Sequence, residues 1–137
     1  MASAGYSGTP LPQKLGIKEG FRIAIVGAPP SLALGVLPHG TRVQRGLIGR
    51  EPFDLLVVFV TQRAELAKRI AACRPRMRPA AGLWIAWPKK ASGVATDVTE
   101  DTVREVALPT GLVDNKVCAI DDTWSGLRLV IRKELRE

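Results

Sequence analysis

Residues 21–30 read Phe21-Arg22-Ile23-Ala24-Ile25-Val26-Gly27-Ala28-Pro29-Pro30, and this stretch decides the fold. Arg22 to Val26 is a short, mostly apolar run closed by a glycine, the pattern of a strand covered on both faces. The turn after such a first strand is where α/β proteins hold a nucleotide. Glycines there let backbone N–H groups close on a phosphate at a helix N-terminus. In this chain one glycine is followed by two prolines, which have no N–H to offer. A nucleotide-binding scaffold is therefore predicted without its usual G-x-G-x-x-G loop.

Working outward, apolar runs bounded by turn residues continue the alternation. Thr41 to Leu47 is a weaker second strand, and Leu55 to Val60 is continuous and β-branched. Leu83 to Trp87 repeats that type. Lys116 to Ile120 and Leu127 to Ile131 form a last pair, joined by the polar loop Asp121-Asp122-Thr123-Trp124-Ser125-Gly126 as a hairpin. Between them a short helix is predicted over Ser31 to Leu37. A longer one runs over Gln62 to Cys73, capped by Thr61, with Leu66, Ala67, Ile70 and Ala71 on one face. Asp97-Val98-Thr99-Glu100 reads as a capping box, with Asp97 as the cap, for a helix buried through Val103, Val106 and Ala107. Strand–helix alternation with right-handed crossovers gives a three-layer α/β fold around a mostly parallel sheet.

Length and composition bound the rest. At 137 residues and 46% hydrophobic, the chain is expected to form one domain over 13–137, with a flexible segment over 1–12. The longest pure apolar run, Leu55 to Val60, falls far short of the ~20 residues of a membrane span. The N-terminus lacks the pattern of a secretory signal. Cys73 and Cys118 lie in predicted core elements and match neither a disulfide framework nor a zinc pattern, so a cytoplasmic setting is expected. Charge is uneven: residues 1–90 hold 14 Lys/Arg against four acids, while residues 91–137 hold six against nine. That asymmetry points to an anionic partner for the first part.

The order of elements resembles the later half of the methyltransferase-type Rossmann fold. Its basic turn before the fifth strand has a counterpart in Arg74-Pro75-Arg76-Met77-Arg78-Pro79-Ala80-Ala81-Gly82, and Leu127 to Ile131 would supply its antiparallel C-terminal strand. Four segments carry a second resemblance: Tyr6 to Pro12, Lys14 to Lys18, Trp87-Pro88-Lys89-Lys90-Ala91-Ser92-Gly93, and Asp121 to Gly126. Together they are similar to a bacterial family of unknown function, domain family 3052. That resemblance implies a small Rossmann-like cytoplasmic protein and carries over no catalytic residue.

A methyl-donor site of that fold needs a glycine-rich first turn and an acid at the end of the second strand for the ribose hydroxyls. The first is replaced by Gly27-Ala28-Pro29-Pro30, and the nearest acid to the second strand is Glu51. Ligands of open α/β sheets sit beyond the carboxyl ends of the strands, where Gly27, Thr61, Arg63, Lys89, Lys90 and Ser92 fall. Lys89 to Gly93 offers two ammonium groups and a hydroxyl to an anion. Trp124, placed at a loop tip, either stacks on a ligand or folds back on the core. Asp121, Asp122, Thr123 and Ser125 read as turn formers rather than cation ligands. His39 stands alone in a loop. No metal, no cofactor and no catalytic residue is expected. The sequence thus favours a non-catalytic module that binds an anionic small ligand or a protein partner at the Lys89–Ser92 rim. An alternative is nonspecific nucleic-acid association through Arg42, Arg45, Arg50, Arg63, Arg74, Arg76 and Arg78. Methyl-donor-dependent methyl transfer is the least favoured reading.

Overall fold

The protein is described by a computed structural model over residues 9–136. Six strands, β1 (Arg22–Val26), β2 (Arg42–Arg45), β3 (Phe53–Phe59), β4 (Met77–Pro88), β5 (Leu112–Ala119) and β6 (Trp124–Ile131), form one sheet in the order β2-β1-β3-β4-β6-β5. The helices are α1 (Leu11–Leu15), α2 (Arg63–Cys73) and α3 (Glu100–Ala107). β1 pairs in parallel with β2 and β3, and β3 in parallel with β4. β6 then runs antiparallel between β4 and β5, so the sheet is mostly parallel with the expected antiparallel C-terminal strand. The chain leaves β1 toward one edge, returns through β2, and crosses to β3 on the other side of β1. That reversal puts the switch in strand order, where ligands of open α/β sheets bind, at the carboxyl ends of β1 and β3.

Alternation within the strands divides the core in two. Ala24, Val26, Leu56, Val58, Leu83, Ile85 and Trp87 face α2 and α3. Ile23, Ile25, Leu55, Val57, Phe59 and Trp84 face α1 and the segment after β1. Trp84 is fully buried, and its indole Nε1–H donates to the Leu15 carbonyl at 3.0 Å, which satisfies the one polar atom it brings inside.

Several local expectations are corrected. No helix forms over Ser31 to Leu37. Gly35 sits at φ 82°, outside the helical region, and breaks the run in its middle. Leu32, Leu34 and Leu37 instead lean on the sheet from irregular chain. α2 begins one residue later than predicted, and its N-cap is Gln62, with no side-chain bond from Thr61. The capping box of α3 uses Thr99 and Thr102, not Asp97 and Glu100. The hairpin loop is shorter than six residues, because Trp124, Ser125 and Gly126 already belong to β6. The expected flexible stretch 1–12 falls mostly on residues 1–8, which lie outside the described residues, and from Leu11 the chain is helical. Among the described residues no helix is long and apolar enough to cross a membrane.

Candidate functional site

The carboxyl rim is built from the strand ends. Gly27 follows β1 at φ 70°, and a Cβ there would stand 2.9 Å from the Phe59 carbonyl oxygen. Both facts restrict the position to glycine, since the left-handed region and the close approach each exclude a side chain. The β1 turn is thus pressed directly against the end of β3.

Thr61 follows β3, and its carbonyl accepts from Thr96 Oγ1 at 2.6 Å and from the Asp97 N–H at 3.3 Å. Asp97 Oδ1 in turn accepts from the Arg63 N–H at 2.7 Å. The loop before α3 therefore covers the start of α2, and the Asp97 carboxylate occupies the donor that would otherwise face an anion. The Arg63 side chain is turned to Glu105 on α3, with Nη1 at 2.9 Å from Oε2. Lys89 follows β4, its N–H donating to the Thr123 carbonyl at 2.7 Å, and its ammonium has no anionic partner among the described residues. Lys90 opens a 3-10 turn and is exposed. The Ser92 hydroxyl closes that same turn by donating to the Lys89 carbonyl at 2.6 Å.

Trp124 is not a loop tip. It opens β6 opposite Pro88, and its ring meets Phe59 edge-on, with centroids 5.1 Å apart and planes at 83°. The indole is half-buried over the end of β3, the folded-back arrangement. Asp121 Oδ1 accepts from the N–H groups of Thr123 and Trp124 at 2.8 and 2.9 Å, an Asx turn. Among the described residues no group of three or more His, Cys, Asp or Glu could hold a metal ion.

At the end of β2 stands Arg45, level with Ile25 and exposed. Glu51 lies at the opposite end of the sheet, 3.8 Å from the Arg22 guanidinium at the start of β1. It does not take the place of an acid at the end of β2. The rim therefore brings together Gly27, Thr61, Lys89, Lys90, Ser92 and Trp124, while Arg63 points to α3. Sequence reasoning missed Asp97 as the cap of α2. Its position 34 residues from Arg63 leaves no local signal.

No protein-family model and no curated protein matches this chain. Solved structures do match. Aeropyrum pernix fibrillarin with natively bound S-adenosyl-L-methionine superposes with a TM-score of 0.58 at 17% identity, covering 89% of this chain and 69% of that one. A fibrillarin pre-rRNA processing protein from Methanococcus jannaschii gives 0.61 at 13% identity, over 92% and 70%. A SAM-dependent methyltransferase from Aquifex aeolicus gives 0.57 at 14% identity, over 87% of each. The fold is the methyltransferase-type Rossmann fold. This finding corrects the order of functional readings above. The neighbours are SAM-dependent methyltransferases, so the non-catalytic anion- or partner-binding module and the nucleic-acid-associated protein no longer lead. At such identities the likeness itself speaks to the fold.

Proposed function

We propose that the chain is a methyltransferase-type enzyme whose adenosyl methyl donor seats at the carboxyl rim, over the strand ends where the strand order reverses. The observation that carries this reading is the strand order β2-β1-β3-β4-β6-β5 with its antiparallel C-terminal strand, which sets the Gly27 turn at the point where strand order reverses. The donor fits this rim only in part. Gly27 supplies the glycine turn after β1, although its side-chain space is taken by the Phe59 carbonyl. Pro29, Pro30 and the irregular chain after them supply no helix N-terminus. Arg45 stands where an acid would take the ribose hydroxyls, so that half of the donor is unmatched and no chemical step is derived from these residues. The same reading takes the chain as a bacterial, cytoplasmic member of domain family 3052, supported by segments 6–12, 14–18, 87–93 and 121–126.

Calorimetric titration with S-adenosylhomocysteine tests the reading. A saturable isotherm is expected for the wild type. Arg45→Asp should bind about tenfold more tightly, because a carboxylate would then accept from the ribose hydroxyls. No heat for either protein at millimolar ligand overturns the assignment.

A further inference from the structure

The segment after β1, the start of α1 and the hairpin between β5 and β6 leave a cavity of about 580 Å³ between them. β4 and β5 both run antiparallel to β6, so β5 ends at the same rim as β1, β3 and β4. Ile120, the residue after β5, forms part of the cavity wall, together with Leu11 and Leu34. The Ile120 N–H donates to the Trp124 carbonyl at 2.9 Å, and the Trp124 ring meets Phe59 at the end of β3. The wall of the cavity is thus continuous with the rim, on the α1 face of the sheet.

The lining divides by chemistry. Most of it is apolar, and it includes Val36, which is 95% exposed and which the core does not use. Asp121 and Asp122 are its charged members. Asp121 Oδ1 is engaged by the N–H groups of Thr123 and Trp124, which fixes that carboxylate in place. Asp122 is exposed and enters no hydrogen bond or ion pair among the described residues. A largely apolar cavity of about 300–1,000 Å³ with a few convergent polar groups is the form that small-molecule sites take. Its charge runs against that of the chain, which carries a net +7.

We infer that this cavity binds a small molecule with an apolar body and a cationic end, an alkyl or cycloalkyl amine in its simplest form. The body covers Leu11, Leu34, Val36 and Ile120 and removes their surface from water. The ammonium donates to the Asp122 carboxylate, and Asp121 adds a second negative charge beside it. An anion of the same shape meets two carboxylates and is turned away. For the ligand's role, though not for its binding, the inference rests on the methyl-transfer reading: the molecule held here, beside the donor rim, is the methyl acceptor.

The test is heteronuclear NMR with cyclohexylmethylamine, its neutral counterpart cyclohexylmethanol and the anion cyclohexanecarboxylate, at equal ionic strength and without donor. Saturable shifts are expected with the amine at the amides of Leu11, Leu34, Val36 and Asp122, about tenfold weaker binding with the alcohol, and none with the carboxylate. Asp122→Asn, whose side chain takes no part in the Asx turn, should bring the amine down to the affinity of the alcohol and leave the alcohol unchanged. Ala33→Trp, which adds bulk from the cavity wall, should abolish the shifts with both. Shifts that do not saturate at these amides, an alcohol that binds as tightly as the amine, or amine binding unchanged in Asp122→Asn overturns the inference. Amine binding without any S-adenosylhomocysteine isotherm supports the cavity's ligand class and removes only the methyl-transfer reading.

Discussion

Cys73 closes α2 with no exposed surface, packed in the core beneath the sheet. Burial disfavours its thiolate and pushes the thiol from its ordinary 9.0 to about 11, against the smaller pull of Arg69 and Arg76. The sign follows from which form the fold prefers. Below pH 9 both folded and unfolded chains hold the proton, and the contribution is fully present. Between pH 9 and about 11 only the unfolded chain releases it, so stability falls as pH rises, by a total of about 2–3 kcal/mol. Cys73→Val keeps the volume and removes the titration. Melting curves from pH 8 to 11 should decline less steeply for that variant than for the wild type. Parallel declines would refute the assignment. The same depressed thiolate makes Cys73 inert as a nucleophile, in keeping with a structural role.

At the scale of elements, the two helices on one face are tied together by a single loop. α3 caps itself locally, since Thr99 accepts from the Thr102 N–H at 3.2 Å and Thr102 returns a bond to the Thr99 N–H at 3.1 Å. Arg104 then gathers Glu100, Asp101 and Asp114 on the exposed side. At α2 the only local bond of this kind among the described residues is the long one from the Thr61 N–H to Glu65 Oε1 at 3.4 Å, and its first N–H depends on Asp97 from the loop that leads into α3. Asp97→Ala should therefore cost about 1 kcal/mol in urea unfolding, the usual value of a lost cap. Thr99→Ala should cost a similar amount. The two differ in where they act: hydrogen exchange should speed up in the first turn of α2 for Asp97→Ala, and in α3 for Thr99→Ala. Exchange confined to α3 in both would show that Asp97 does not support α2.

For the whole molecule, the critical connection is the crossover from edge strand β2 over to β3 through residues 46–52. It is held from one side by Gln44 of β2, whose Nε2 donates to Ile48 O at 2.7 Å and Gly46 O at 3.3 Å, and from the other by Arg76 from the turn before β4. Arg76 Nη1 donates to Leu47 O at 2.9 Å, Nη2 to Ile48 O at 3.1 Å and to Glu51 O at 2.9 Å. Its guanidinium also lies 5.0 Å from the Phe53 ring centroid, with Arg22 on the same ring at 4.6 Å. One side chain thus bonds three backbone carbonyls of the crossover, sharing Ile48 O with Gln44. Arg76→Ala should lower stability by roughly 2 kcal/mol and open the 46–52 segment to proteolysis before global unfolding. Cleavage that starts elsewhere would place the weak point outside the crossover. Arg76→Lys should rescue little, because an ammonium cannot span the three carbonyls in a planar fork.

The alternation of apolar runs with amphipathic segments was enough to specify a mostly parallel three-layer sheet and its antiparallel last strand, because burial on both faces writes itself into local composition. Gly27 was legible for the same reason, as a glycine closing a buried strand. What lay between distant segments was not. Ser31 to Leu37 has helical composition, yet the sheet face above Ile23 and Ile25 draws Leu32, Leu34 and Leu37 down in irregular chain. Trp124 reads as a loop residue until Phe59 meets its ring. The direction of Arg63, the cap from Asp97 and the clamp of Arg76 each join residues 25 or more positions apart. Such pairings arise only when packing brings the segments together, and no local pattern encodes them.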